Sequence, residues 1–188
     1  MHRISFGKEE LKELFISALV ITFIFVYPPV GGAWWLVFGV YFVFVGLGFA
    51  VHELAHKLTA QSLGAWSEFR MWTEGLIFAV IMRVIGGPVF IAPGATLWAK
   101  PFATLEDYGK VSAAGPVTNI VMALVFALLS TALPFMAIGT RINLQLAMFN
   151  LLPFPPLDGH KILAWKPGLW TLLFGSTIIL QFLIPAGL

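Results

Sequence analysis

The amino-acid sequence predicts an all-α polytopic membrane protein with about five transmembrane helices and a small β-hairpin element between the second and third helices. Hydrophobic residues make up 59% of the 188 residues and charged residues only 11%, and the mean hydropathy is +0.91. Several apolar runs approach the roughly 20 residues that cross a bilayer. Proline and glycine separate these runs, so each run can form its own helix. We expect a single membrane domain over residues 1–188.

Each predicted helix ends at a turn signal. Pro28 follows the first helix, Gly64 the second and Pro134 the third, while a proline-rich run at 153–156 follows the fourth. A four-span arrangement, with the first or fifth helix lying at the membrane interface, also stays open. The five predicted helices cover residues 14–27, 34–62, 111–133, 142–152 and 169–184.

The distribution of Lys and Arg predicts the orientation in the membrane. The N-terminal arm carries three of these residues, the segment between helices two and three carries five, and the segment between helices four and five carries two. The loop after the third helix carries only Arg141. With the N-terminus inside, ten of the eleven basic residues lie on the cytoplasmic side, as the positive-inside rule requires.

Residues 65–100 do not resemble a further span. Charged residues interrupt them at Arg70, Glu74 and Arg83. The pieces 76–84 and 89–91 are rich in β-branched and aromatic residues between turn residues, which indicates two short strands. Such a hairpin must pack against helices or line a wet cavity, because lipid cannot satisfy free strand edges. It is either a packing lid or an edge strand that binds another peptide.

Composition narrows the chemistry that the chain can perform. The absence of cysteine excludes disulfides, thiolate metal sites and a cysteine nucleophile. Any bound metal must therefore be held by histidine and carboxylate side chains. The net charge of only +2, with no basic stripe, argues against nucleic acid as a partner.

A metal-binding motif lies near the end of the second predicted helix, where residues 52–56 read His-Glu-Leu-Ala-His. On a helix, this spacing puts His52 and His56 one turn apart on the same face, where both can bind one Zn²⁺. Glu53 then lies beside the metal as a general base. The motif predicts a catalytic zinc site.

Glu53 and Asp158 are the two acidic residues within or beside apolar segments. A carboxylate at membrane depth costs at least a few kcal/mol, so both are candidates for a functional site. The proline-rich run after the fourth helix carries Asp158 roughly 30 Å toward the side on which His52 and His56 lie. Asp158 could equally be the N-cap of a short helix that begins near His160.

Two further segments carry a family pattern. Residues 150–159 read Asn-Leu-Leu-Pro-Phe-Pro-Pro-Leu-Asp-Gly, and residues 114–119 read Ala-Gly-Pro-Val-Thr-Asn. With the motif at 52–56, and in this order, they closely resemble the site-2 protease family of intramembrane zinc metalloproteases. That family pairs His-Glu-x-x-His with Asn-x-x-Pro-x-x-x-Leu-Asp-Gly and has a Gly-Pro element between them. The resemblance covers about residues 34–165.

This resemblance implies that one Zn²⁺ is held by His52, His56 and Asp158, with Glu53 as the base and a fourth position left for water. It also implies a membrane-spanning protein as substrate, regulated intramembrane proteolysis, and a location in the cell membrane, where the basic residues place the N-terminus and the active site on the cytoplasmic side. There is no room for the PDZ-type domain that many members carry, so we expect a minimal, prokaryotic-type member.

Among the remaining residues of interest, Asn119 and Asn150 have two interpretations each. Asn150 and Asn119 are candidates for stabilising the oxyanion or binding the substrate backbone, and equally for hydrogen bonding between helices. Gly115 and the proline after it are most simply a close-packing point of the third helix. His160 is expected to be an interfacial bystander of the site.

Three alternatives compete with the assignment to the site-2 protease family. Glu74 could supply the third zinc ligand in another protease class, but the metzincin extension fails because Thr59 and Ser62 occupy the positions of its Gly and His. A zinc transporter or metal-sensing membrane protein could use the same ligands, although it needs no Glu between the histidines. An inactive homologue acting as a scaffold is the third, and the intact base and ligands argue against it.

Overall fold

The computed structural model describes residues 6–28, 31–87 and 93–184. They form seven α-helices and two β-strands, and a 3₁₀ turn at Pro134–Met136 precedes the fifth helix. The predicted predominance of helix and the small antiparallel sheet are confirmed. In chain order the elements are α1 (Lys8–Val26), α2 (Trp34–Ser62), β1 (Trp66–Met71), α3 (Thr73–Val84), β2 (Gly94–Ala99), α4 (Leu105–Ser130), α5 (Ala137–Asn150), α6 (Asp158–Trp165) and α7 (Pro167–Leu183).

Two of the described helices, α2 and α4, are long and apolar enough to cross a membrane, with 29 and 26 residues. Only 22% and 33% of their most apolar stretches are buried inside the protein, so the remaining apolar side chains are wholly or partly exposed and lipid can cover them. The predicted count of five spans is not confirmed. Helix α1 begins with five charged residues in six positions, and α5 and α7 have only 14 and 17 residues.

The predicted strand at 76–84 is wrong, because this segment lies within α3. Its ends carry helix signals that the β-branched composition obscured. Glu74 lies in the first turn and Arg83 in the last, where each charge complements the helix dipole. Gly86 follows with a φ of 76°, the left-handed conformation that commonly ends a helix. The second predicted strand, at 89–91, lies outside the described residues.

The sheet that does form pairs β1 with β2, antiparallel, with Phe69 opposite Thr96. In β1 the buried side chains alternate with more exposed ones, since Ser67 and Phe69 point inward. The predicted small antiparallel sheet between the second and third predicted helices is confirmed, but its strands lie at 66–71 and 94–99, outside the predicted pieces, and α3 lies between them, so they do not form a hairpin.

A hydrophobic core between α1, α2 and α5 fixes this sheet beside the metal motif. The rings of Phe49 and Phe69 meet edge to face at 5.6 Å, which joins β1 to α2 three residues before His52. The buried members of this core are Ala18, Ile21, Phe44, Val45, Phe49, Phe69 and Ile142.

Helix α4 begins six residues before the predicted start at 111. Thr104 accepts a hydrogen bond from the backbone N–H of Asp107, whose carboxylate accepts one from the N–H of Thr104 in return. This capping box satisfies two free backbone donors and supports the additional turns. The longer helix brings Val111 alongside the metal motif.

Candidate metal centre

Three buried side chains converge at the end of α2 that carries the metal motif. The Nε2 atoms of His52 and His56 lie 3.0 Å apart. The Oδ2 atom of Asp158 lies 3.4 Å from Nε2 of His52 and 3.1 Å from Nε2 of His56. All three residues are at most 9% exposed. The structure thus brings together the three predicted metal ligands, although 102 residues separate His56 from Asp158 in the sequence.

The separations of these three atoms fit a tetrahedral zinc site. Zinc binds imidazole nitrogen and carboxylate oxygen at about 2.0–2.2 Å, and two ligands of a tetrahedron at that radius are about 3.3 Å apart. The three observed separations lie between 3.0 and 3.4 Å. The residues present therefore fit a small cation with one coordination position left over.

Hydrogen bonds at the opposite ring nitrogens set the tautomers of both imidazoles. Nδ1 of His56 lies 2.7 Å from the carbonyl oxygen of Val111, which can only accept, so Nδ1 carries the proton. Nδ1 of His52 lies 2.5 Å from Oδ1 of Asn119 and is protonated for the same reason. Both Nε2 atoms then present lone pairs toward Asp158. Three lone-pair atoms that face one another repel unless a metal ion, or in its absence a proton on an imidazole, lies between them.

Asn119 cannot reach a substrate from its position, because its side chain is fully buried and all its polar atoms are occupied. Its Nδ2 donates to the carbonyl of Gly48 at 3.0 Å and to Oδ1 of Asn143 at 2.9 Å, which leaves Oδ1 for His52. Asn119 therefore takes the second of the two roles considered from the sequence, hydrogen bonding between helices, and through it orients a ligand from the side away from the metal.

The segment between α5 and α6 places Asp158 beside the two histidines. Helix α5 ends at Asn150, and α6 begins with Asp158 itself, while Leu157 holds the N-cap position. The carboxylate thus points at the imidazoles and does not cap the helix. Burial alone would raise the pKa of Asp158, but the charge and hydrogen bonds of the two imidazoles outweigh it and hold this pKa below its usual range. The carboxylate stays ionised, as a metal ligand must be.

Gly115 of α4 lies directly against the two imidazoles. A Cβ atom at this position would lie 2.5 Å from Nε2 of His52 and 2.5 Å from Nε2 of His56. Real Cβ atoms do not approach other heavy atoms so closely, so only glycine lets α4 pack here. The expected close-packing point is confirmed, and what it packs against is the ligand pair itself.

Glu53 is 7% exposed, and β2 holds its carboxylate. The Oε2 atom accepts hydrogen bonds from the backbone N–H of Thr96 at 3.0 Å and from the hydroxyl of Thr96 at 2.8 Å. The same hydroxyl lies 3.2 Å from the carbonyl oxygen of Glu53. The sequence gives no signal for this contact, because 43 residues separate the two partners.

The ligands and Glu53 line one cavity of about 380 Å³. Its walls come from α1, β2, the end of α5 and the turn before α6. Asn150 lines the cavity, although its Nδ2 atom donates to the carbonyl of Leu146 at 3.0 Å. His160 and Glu74 are exposed, and the described residues bring Asp158 rather than Glu74 to the histidines.

A helix carrying His-Glu-x-x-His whose imidazoles meet a buried aspartate provides the donor set of a zinc metallopeptidase. The names of known proteins with similar sequences agree with the class of zinc metallopeptidases. The chain is 45% identical to "Putative zinc metalloprotease MJ0611" of Methanocaldococcus jannaschii over 188 residues, covering 94% of this chain and 97% of that relative. No family model and no solved structure matches the chain.

Other relatives are more distant. "Putative zinc metalloprotease YwhC" of Bacillus subtilis is 30% identical over 143 residues, covering 62% of this chain and 64% of that protein. "Putative zinc metalloprotease Rip3" of Mycobacterium tuberculosis is 27% identical over 167 residues, covering 78% of this chain and only 38% of that protein. The chain belongs to the site-2 protease family of zinc metalloproteases. Family membership and the three converging donors confirm the prediction of Zn²⁺ as the cofactor.

Proposed function

We propose that the protein is a zinc metalloendopeptidase of the site-2 type, which hydrolyses peptide bonds of membrane-spanning proteins. The observation that carries this proposal is the single cavity shared by His52, His56, Asp158 and Glu53. A metal donor set with one free position beside a buried carboxylate is what water-dependent peptide hydrolysis requires. The cavity lies against α2, one of the two helices able to cross a membrane.

The residues divide the reaction between them. Zinc held by His52, His56 and Asp158 would supply a Lewis acid that polarises the peptide carbonyl and acidifies water. The carboxylate of Glu53 takes the proton of the attacking water and passes it to the leaving amine. The amide of Asn150, in the cavity wall, is the candidate donor to the substrate carbonyl oxygen or backbone.

An extended substrate can pair with β2. Thr96 donates its backbone N–H to Glu53 and not to the partner strand. Every second residue of β2, counted from Thr96, therefore directs its backbone N–H and C=O groups away from β1. This outer edge contributes Gly94, Thr96 and Trp98 to the cavity wall, and because Glu53 already accepts the N–H of Thr96, a substrate strand would use the other N–H and C=O groups of the edge. A helical substrate must unwind before cleavage, and pairing with this edge offsets the backbone hydrogen bonds that it loses.

The proposed location is the cell membrane, with the N-terminus and the active site on the cytoplasmic side. Two helices long enough to span a bilayer support the membrane part of this assignment. The orientation rests on the basic residues alone, ten of which then lie inside. A metal transporter shares the ligands but has no use for a base such as Glu53 beside them.

Cleavage of two substrates by the purified protein tests this proposal. In detergent with zinc, the native protein should cleave a loosely folded soluble protein, and in vesicles it should cleave a single-span reporter. Glu53→Gln should retain zinc and lose both activities, by about 10²-fold or more. Glu74→Gln is the matched control, because its carboxylate is exposed and belongs neither to the converging donors nor to the cavity wall, and should cleave normally.

Each outcome has a defined consequence. Equal cleavage by the native protein and Glu53→Gln contradicts the peptidase. Loss of activity in Glu74→Gln would favour the rival ligand set. Cleavage of the soluble protein without cleavage of the spanning reporter contradicts the proposed substrate class.

A further inference from the structure

The two-stranded sheet is held at both outer edges by carboxylates from the helices on either side. On one edge, Oε1 of Glu10 in α1 accepts the N–H of Phe69 at 3.0 Å. On the other edge, Oε2 of Glu53 in α2 accepts the N–H of Thr96, also at 3.0 Å. Phe69 and Thr96 are register partners in the sheet. One cross-strand pair therefore connects the two helices through their carboxylates.

The two carboxylates differ in what else they bind. Both oxygens of Glu10 lie 2.7 Å from Nζ of Lys57, and Glu10 is 1% exposed, so its charge is matched and both oxygens are engaged. Glu53 has no such cation in the described part of the chain. Its Oε2 atom takes both donors of Thr96, whereas Oε1 receives no hydrogen bond from any described residue.

This asymmetry defines a geometric role for Thr96. A glutamate side chain has three rotatable bonds, so fixing it in one rotamer costs conformational entropy. Two donors on one oxygen offset that cost before any substrate arrives and leave the second oxygen without a hydrogen bond from a described residue, in a side chain that lines the same cavity as the metal donors. Because Thr96 belongs to β2, the same contact fixes the base relative to the strand edge facing the cavity.

We propose that Thr96 is the positioning residue of Glu53: its hydroxyl and backbone N–H fix Oε2 so that Oε1 faces the site of the attacking water. This inference rests on the proposed peptidase function. It assigns Thr96 no contact with the reacting atoms. Thr96 acts by holding the base in one rotamer and by joining that base to the strand on which a substrate would lie.

The hydroxyl can be removed with little change of shape. Thr96→Val keeps the backbone N–H and the branched side chain and deletes only the hydroxyl hydrogen bonds to Glu53. Thr96→Ser keeps the hydroxyl. Thr96→Ala deletes the hydroxyl without a risk of overpacking and serves as the second test variant. The control is Thr177→Val in α7, which makes the same substitution outside the cavity and removes a hydroxyl bonded to the carbonyl of Phe174 at 2.7 Å.

The experiment measures kcat, KM and bound zinc for these variants with the soluble substrate. We expect Thr96→Val and Thr96→Ala to lower kcat by about 10–100-fold, the range typical of residues that support active-site groups, with KM and zinc content unchanged. Thr96→Ser should recover kcat to within about threefold, and Thr177→Val should match the native protein.

If Thr96 had only a structural role, its variants would not lower kcat selectively. Equal kcat in Thr96→Val, Thr96→Ala and Thr177→Val overturns the proposal, as does a change confined to KM or to zinc content. Failure of Thr96→Ser to restore kcat also overturns it. In each of these cases the native protein still cleaves, so the peptidase assignment stands. Absence of cleavage by the native protein overturns the proposed function, and the role of Thr96 with it.

Discussion

The Oδ1 atom of Asn119 lies 2.5 Å from Nδ1 of His52, so α4 sets the orientation of a metal ligand carried by α2. Partners of this kind fix the tautomer and the ring plane of a ligating histidine. Asn119 is in turn held by Asn143 of α5, at 2.9 Å. Three helices thus meet in one buried chain of amides that ends at His52.

Asn119→Ala should weaken zinc binding by about 10–100-fold, because His52 loses the partner that keeps Nε2 free for the metal. Competition with a chromogenic chelator measures this affinity. Asn150→Ala is the contrasting variant, since Asn150 lines the cavity and no hydrogen bond joins it to a ligand in the described structure. It should bind zinc normally and change catalysis instead. Equal zinc affinity in the two variants would contradict the orienting role of Asn119.

Removal of the metal should abolish activity, and Asp158 should be needed for the metal to bind. Treatment with a chelator should give an inactive protein that added zinc restores. Asp158→Ala should purify with far less than one zinc per chain, because two histidines alone leave half of a tetrahedral site to water. Metal analysis by mass spectrometry checks this. Stoichiometric zinc in Asp158→Ala would exclude it as a ligand.

Local spacing predicted two of the metal ligands, and the family resemblance supplied the third. The four-residue interval between His52 and His56 determines that they share a helix face, and the Leu-Asp-Gly pattern identified Asp158. Contacts between distant segments had no such signal. Thr96 is an ordinary strand residue until β2 is seen beside Glu53, and Asn119 could not be distinguished from an oxyanion donor without its distance to His52.

The wrong strand at 76–84 arises because apolar composition does not separate helix from strand in a short segment. Residues 76–84 were read as a strand because they are β-branched, whereas the charges at Glu74 and Arg83 and the glycine at 86 mark the ends of a helix. Glu10 was assigned to a polar arm outside the first helix. It lies inside α1 and is buried, because Lys57 lies opposite.

The ion pair of Glu10 and Lys57 should make a measurable contribution to stability. Lys57→Met removes one partner and leaves a buried carboxylate without its cation, which costs about 3–5 kcal/mol. We expect the midpoint of thermal unfolding in detergent to fall by roughly 10 °C. The double variant Glu10→Gln with Lys57→Met should recover most of this loss, since no unpaired charge remains.

An exposed pair provides the control for this measurement. Lys12 and Glu9 lie 3.4 Å apart with side chains 65% and 66% exposed, so Lys12→Met should leave the midpoint nearly unchanged. Equal midpoints for Lys57→Met and Lys12→Met would show that the buried pair makes no net contribution.

Gly115→Ala should disrupt the metal centre without removing any ligand. The added methyl group would lie 2.5 Å from Nε2 of both His52 and His56, so either α4 moves away from α2 or the imidazoles rotate out of position. Both movements separate donor atoms that now lie 3.0–3.4 Å apart, and we expect loss of stoichiometric zinc and of cleavage.

Gly39→Ala, in α2, is the matched control because no atom lies within 4 Å of its added methyl group. It should bind zinc normally and be slightly more stable, since alanine favours the helix by up to about 1 kcal/mol. Normal zinc binding by Gly115→Ala would mean that the two helices are not held at the separation on which the site depends.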